Sequence, residues 1–266
     1  MDDNFKKLFE NGYLIVNFKN TKYLNLIQTA IQSIFCFDPT LMHQKNIDDD
    51  QYLKFVKQAK DSLVEKDYVK NLLLDNIHVF SALFGPDIDF QYNIHLRISR
   101  PNHEGDFVNW HRDTFNGNTY WEVNFWFPVF PLEKNSGLAI IESSHSAVPK
   151  NIRFIEDRND FRKKVTKGSI ANELGYIYAP KVDDTIANLD TTKIKLLTPE
   201  IGQVVVFFGH AIHRAFNDSQ KTRISIDTRL KSVHSPTNTK LGYYRPLSRG
   251  CVSLYAEKMQ LSDQGY

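Results

Sequence analysis

Apolar residues recur at helical spacing through the first third of the chain. In TKYLNLIQTAIQSIF, Leu24, Ile27, Ile31 and Ile34 fall three and four apart, and QYLKFVKQAKDSLV and KNLLLDNIHVFSALFG continue the period. Gly85 and Pro86 end it. Beyond Pro86 the period becomes two. FQYNIHLRIS sets Phe90, Tyr92, Ile94, Leu96 and Ile98 on one face and Gln91, Asn93, His95, Arg97 and Ser99 on the other. YWEVNFWFPVF, GLAIIES, IGQVVVFFG and KTRISIDTRL are four more strand-like runs, rich in aromatic and branched residues.

Helices followed by strands separated by turns predict a mainly β fold with α, a sandwich or closed barrel of mostly antiparallel strands behind an N-terminal helical layer. No linker or repeat divides the chain, so we expect one domain over 1–266: a helical layer over 1–86, a β core over 87–232 and a C-terminal extension over 233–266. Residues 149–195 read as a long insertion between strands, a kind of loop that is often functional.

Composition narrows the function classes. With 41% hydrophobic and 24% charged residues the chain is an ordinary globular sequence, and a formal charge of +2 without a basic block argues against nucleic acid. Cys36 and Cys251 are the only cysteines, without CxxC spacing, and are read as reduced thiols. The N-terminus lacks a secretory pattern, and no run approaches the roughly 18 apolar residues of a membrane span. The expectation is a cytoplasmic protein acting on a small molecule, with no membrane partner.

The candidate chemistry begins in NWHRDTFNG. On a strand, residues i and i+2 share a side, so His111 and Asp113 can close on one cation. With nine His and 21 Asp, about 0.7 HxD matches arise by chance, so the pair decides little alone. The best third ligand lies in VVVFFGHAIHRAFNDSQKTRISIDTRL, where His213 is followed ten residues later by Arg223. That offset is expected about 0.4 times and occurs once. Two histidines and a carboxylate leave metal positions open, as in a non-haem Fe(II) oxygenase. An arginine on the next strand can pair with the far carboxylate of a chelating oxoacid. His210 is the rival third ligand.

The ordered set HRD, EVNFWFPVFPLEKNSGLAIIESSH and GQVVVFFGHAIHRAFNDSQKTRISIDTR resembles the Fe(II)/2-oxoglutarate-dependent dioxygenases of the phytanoyl-CoA dioxygenase superfamily, in particular their antibiotic- and sugar-pathway branch. The resemblance covers about residues 88–232 and departs at IIESSH, where the family often has proline and glycine before SH. It implies a double-stranded β-helix, or jelly roll, with His111, Asp113 and His213 as iron ligands and Arg223 anchoring the distal carboxylate of 2-oxoglutarate. Ser225 is implied as its hydroxyl helper and Asn124 as a polar residue touching the cosubstrate. The implied cofactors are Fe(II), 2-oxoglutarate and O2, and the implied default outcome is hydroxylation with succinate and CO2 as coproducts. Asp113 in the carboxylate position argues against a halogenase, which needs a small residue there.

We therefore expect hydroxylation of a sugar, sugar nucleotide or amino-acid-derived intermediate in a biosynthetic pathway. The alternatives are a cupin-type metal-dependent sugar epimerase or isomerase, which has no need of Arg223, and a non-catalytic ligand-binding jelly roll. Arg97 and Arg229 lie on polar strand faces beside the site. Arg229 either pairs with Asp227 or meets an anionic group of the substrate. His145 is read as fixing a strand end by a backbone hydrogen bond, His103 as solvated, and Arg112 as pointing outward by strand parity. Trp110, Trp121, Trp126, Phe125 and Phe127 are read first as barrel core. The 149–195 segment and the tail LGYYRPLSRGCVSLYAEKMQ are candidates to cover the pocket or to join subunits.

Overall fold

The computed structural model describes residues 3–116, 118–146, 190–236 and 242–263. Helix α1 (Asp3–Asn11) leads into strand β1 (Tyr13–Asn17), and four helices follow: α2 (Lys22–Phe35), α3 (Asp49–Glu65), α4 (Tyr68–Asp75) and α5 (Ile77–Phe84). The three-and-four spacing in α2 buries Leu24, Ile27, Ile31 and Phe35, and Cys36 ends the helix in the left-handed region at φ 57°. The Asp48 side chain caps α3 by accepting from the Gln51 N–H at 2.8 Å, with Asp49 and Asp50 in the positive first turn. Gly85 stops α5 at φ 75°, a conformation that a side chain would strain.

Nine more strands follow: β2 (Ile88–Gln91), β3 (His95–Ser99), β4 (Val123–Pro128), β5 (Ser136–Ile141), β6 (Ile194–Leu197), β7 (Gln203–Phe208), β8 (His213–Asn217), β9 (Arg223–Ser232) and β10 (Tyr244–Ser248). They form two antiparallel sheets. The larger runs β1-β7-β4-β9-β2-β10 with β3 also paired to β9, and the smaller runs β6-β5-β8. Helix α6 (Cys251–Asp263) closes the described chain. Two antiparallel sheets with helices on one side fit a jelly-roll architecture.

The long strand β9 explains where the site forms. Its alternate residues Ile224, Ile226 and Leu230 join Phe80, Leu72 and Ile31 in one apolar cluster that ties the helices to the outer face of the large sheet. The opposite set, Arg223, Ser225, Asp227 and Arg229, faces the other sheet. Strand β4 divides in the same way: Val123, Phe125 and Phe127 pack under the helices, whereas Trp126 joins Leu138, Val205 and Phe207 in a second cluster between the sheets.

Several sequence expectations need correction. Tyr13–Asn17, inside the segment read as helical, is an edge strand paired with β7. FQYNIHLRIS is two strands, both paired with β9. Between the runs IGQVVVFFG and KTRISIDTRL lies a further strand, β8, which begins at His213 and pairs with β5. Trp126, Phe125 and Phe127 are buried, but Trp121 is 57% exposed and Trp110 is half-buried. Residues 149–189 of the expected insertion lie outside the described residues, and its end forms a 3-10 turn (Thr191–Lys193) and β6.

Candidate metal centre

His111 and His213 are held by each other's backbones: the N–H of each donates to the carbonyl of the other at 3.0 Å. Both imidazoles project from this two-residue bridge, with ring centroids 4.3 Å apart. Each Nδ1 lies against a carbonyl two residues back, Asn109 O at 2.6 Å and Ala211 O at 2.9 Å. Carbonyls only accept, so each Nδ1 carries a proton and Nε2 is the nitrogen left to face Asp113. Those Nε2 atoms stand 3.4 and 3.9 Å from Asp113 Oδ1. The three side chains offer ligand atoms within 4.8 Å of one another, close enough to hold a metal ion. Burial lowers His213 to about 4, so its ring is a neutral donor at pH 7.

Asp113 departs from the expected strand geometry. It opens a short 3-10 turn (Asp113–Asn116) and is fixed by donating its N–H to Gly209 O at 2.8 Å. Arg112 between the ligands points away from the metal position, as parity suggests, but it is buried rather than solvated. Its Nη1 donates to Ser144 O at 2.8 Å and His210 O at 2.6 Å. Strand parity gives direction and not burial, and the outer face here is packed against the Ser144 and His210 backbone.

The second Asp113 oxygen is already engaged. Oδ2 accepts from Asn124 Nδ2 at 2.6 Å and from Arg229 Nη2 at 2.8 Å, and Asn124 and Arg229 are direct cross-strand partners. Burial alone would raise the Asp113 carboxyl, but Arg229 and the two histidines hold it well below the usual carboxylate range. Arg229 in turn donates from Nη1 to Gln91 Oε1 at 2.7 Å, and its Nε faces Glu122 Oε1 at 3.1 Å. The expected partner Asp227 instead pairs with Arg97, 2.9 Å from its Nε. Burial pushes Glu122 up to about 7. Its Oε2 accepts from the Tyr244 hydroxyl and its Oε1 from Asn118 Nδ2 at 2.5 Å.

Deeper between the sheets lies Arg223, 3% exposed. Nη1 donates to Gly137 O and Nη2 to its cross-strand neighbour Ser99 Oγ, both at 2.8 Å, and the guanidinium lies 5.7 Å from the Trp126 ring centre. No carboxylate among the described residues pairs with it, and its Nε and the Ser225 hydroxyl are buried without partners. Burial lowers Arg223 to about 10, with Arg97 adding to the effect. A buried guanidinium that faces a cavity and has no carboxylate in ion-pair contact is a site built for an anion. That cavity is continuous with the triad: Arg223, Trp126, Asn124 and Asp227 line it together with His111 and His213.

The remaining candidates lie elsewhere. His210 Nδ1 meets Thr114 Oγ1 at 2.9 Å, outside the triad. His145 Nε2 bonds Phe9 O of α1 at 2.8 Å, and its ring stacks on Phe208. His103 is partly exposed beside Asp106, which lines the cavity mouth. Sequence reasoning missed Glu122, Gln91 and Tyr244. The one available signal was an acidic residue inside WEVNFWF, at the start of an otherwise apolar strand.

Residues 38–225 match the phytanoyl-CoA dioxygenase family, PhyH. The chain belongs to this family. Its cofactors are those of the Fe(II)/2-oxoglutarate-dependent oxygenases, and the donor set fits them: two imidazoles, one carboxylate oxygen and, beyond them, an arginine with no carboxylate partner among the described residues. No curated protein matches the PhyH chain in sequence. In fold it is similar to the apo form of the non-haem monooxygenase ThoJ, at 14% identity over 93% of this chain and 84% of that one, TM-score 0.59. The 2-oxoglutarate-dependent epimerase SnoN of nogalamycin biosynthesis is similar at 9% identity over 94% and 96%, TM-score 0.52. EctD from S. alaskensis, with 2-oxoglutarate and 5-hydroxyectoine, is similar at 12% identity over 94% and 84%, TM-score 0.52. Among the described residues no helix is long and apolar enough to cross a membrane.

Proposed function

We propose that this PhyH-family protein hydroxylates a small polar metabolite, a sugar, sugar nucleotide or amino-acid-derived intermediate, in a biosynthetic pathway. One observation carries the reading: a buried His111–Asp113–His213 triad opens onto a cavity that also holds an arginine lacking an anion. His111 and His213 hold Fe(II) through Nε2 and Asp113 through Oδ1. Arg223 and Ser225 receive the distal carboxylate of 2-oxoglutarate, which supplies the buried Nε and hydroxyl with the partner they lack. Bound there, iron with 2-oxoglutarate and O2 supplies an oxidant for a substrate C–H bond, with succinate and CO2 released.

The protein's own work is placement and exclusion of water. The apolar side chains of Trp126, Leu138 and Phe207 wall the cavity and keep the metal position dry. Arg97, 39% exposed at the side chain and paired with Asp227 at the cavity lining, is positioned to meet a polar or anionic group of the substrate. A cupin-type epimerase with no need of Arg223 leaves that buried cation unexplained. Substrate-dependent succinate formation from 2-oxoglutarate, with the product mass recorded against a panel of small polar metabolites, tests the reading. A product heavier by one oxygen supports hydroxylation, whereas an isomer of the substrate replaces it with epimerisation. Consumption of the substrate with no 2-oxoglutarate turned over rejects the oxygenase reading.

A further inference from the structure

We infer that Arg229 is a positioning residue that restricts Asp113 to a single metal-facing oxygen, and that it is itself set by Glu122 and the C-terminal strand. The inference rests on the metal reading above but concerns residues outside the ligand set. Asp113 Oδ1 faces both imidazoles, and Oδ2 is filled by Asn124 and Arg229. A carboxylate with one oxygen taken by two charged or amide N–H donors cannot swing that oxygen onto a cation without breaking both bonds. Single-oxygen ligation spends one metal position where bidentate ligation spends two, so the clamp preserves an open position for cosubstrate, O2 or both.

Arg229 has no freedom left for other work. One Nη meets Asp113 and the other Gln91, and Nε faces Glu122. Gln91 is fixed in turn by its amide nitrogen, which lies 2.9 Å from Asn93 O and 3.0 Å from His95 Nε2. Glu122 is buried and held by Asn118 and the Tyr244 hydroxyl, and the Tyr243 hydroxyl lies 3.4 Å from Arg229. Strand β10 therefore reaches the metal ligand through two side chains, Glu122 and Arg229. This explains a strongly polar cluster of Gln91, Glu122, Asn124 and Arg229 inside an apolar sandwich.

Two substitutions separate a clamp from a mere positive charge. Arg229→Met removes the charge and the donors; Arg229→Lys keeps the charge but loses the planar fork that meets Asp113, Gln91 and Glu122 together. Titrating each protein with Co(II), followed by its visible absorption, reads both affinity and coordination geometry without any turnover. The clamp predicts that both variants bind Co(II) roughly 10- to 100-fold more weakly, with an altered spectrum. A bare charge predicts the reverse for Met, since removing a cation beside the metal tightens binding, and no change for Lys. Tighter or unchanged binding with an unmoved spectrum overturns the inference. Far-ultraviolet circular dichroism checks folding, and where Arg229→Met does not fold, Arg229→Lys decides alone. Wild-type protein that binds Co(II) no better than His213→Ala instead rejects the metal site itself.

Discussion

His111 and His213 lie 102 residues apart in sequence, yet each backbone N–H donates to the other's carbonyl, so the two candidate ligands are joined before any metal arrives. Main-chain pairing does not depend on the side chains. His111→Ala and His213→Ala should therefore keep the fold, with melting temperatures near wild type, while metal affinity falls by more than the roughly 100-fold that loss of an outer-shell partner costs. Calorimetric titration with Co(II) alongside thermal melts measures both. Variants that melt well below wild type and bind metal normally contradict this arrangement.

Arg223 gives a prediction with two signs. A buried cation without a counter-ion contributes little to the ligand-free fold, so Arg223→Met should not lower the melting temperature of the metal-loaded protein without 2-oxoglutarate. Added 2-oxoglutarate should then stabilise wild type but not the variant, because losing one partner of a buried charge pair costs about 2–5 kcal/mol of binding. Anaerobic thermal-shift measurements with and without 2-oxoglutarate check both halves.

Gly137 couples packing to that arginine. A Cβ built there would overlap the Leu197 carbonyl oxygen, and the Gly137 carbonyl accepts from Arg223 Nη1. The obstacle is backbone of the paired strand β6 and cannot rotate away. Gly137→Ala should cost about 1–3 kcal/mol in urea unfolding and weaken 2-oxoglutarate binding, whereas a neutral effect on both would show that β5 and β6 are less closely paired than described.

Stability of the metal-free protein should fall on mild acidification. Burial lowers His95 to about 3 and His210 and His213 to about 4, from an ordinary 6.5, and His145 is lowered as well. As the pH falls from 6.5 to 4.5, the unfolded chain gains protons on these rings that the fold refuses. Glu122, raised by burial from 4.5 to about 7, opposes them by holding one proton that the unfolded chain lacks. The histidines outnumber it, so the unfolded state binds more protons and stability drops across that window. Melting curves at pH 6.5 and 4.5 test the sign, and His95→Gln should shrink the drop. A melting temperature that rises on acidification contradicts it.

The convergence of His111, Asp113, His213 and Arg223 was readable from order and strand context because β4, β7 and β9 are dense in Val, Ile and Phe and announce themselves. Strands at sheet edges did not. Tyr13–Asn17 buries only Leu14 below the surface and sits between helical patterns, and Ile194–Leu197 buries only Leu197. The break between β2 and β3 was invisible because Phe90, Ile94, Leu96 and Ile98 keep their alternation through it. The Glu122–Arg229–Asp113 relay was missed for a different reason. Strand parity says which way a side chain points but not which of two acids, Asp113 or Asp227, waits across the sheet. Register supplied that answer, by setting Asn124 opposite Arg229 and Trp126 opposite Asp227.

Turnover of 2-oxoglutarate at iron in this site has one direct consequence, the appearance of succinate. The most direct measurement loads the protein with Fe(II), 2-oxoglutarate and the panel of small polar metabolites without oxygen, admits O2, and quantifies succinate by mass spectrometry in wild type, His213→Ala and Arg223→Ala. Succinate from wild type, with none above the protein-free background from His213→Ala and a sharply reduced yield from Arg223→Ala, is the predicted result. Unchanged 2-oxoglutarate in wild type, or equal succinate from all three proteins, contradicts it.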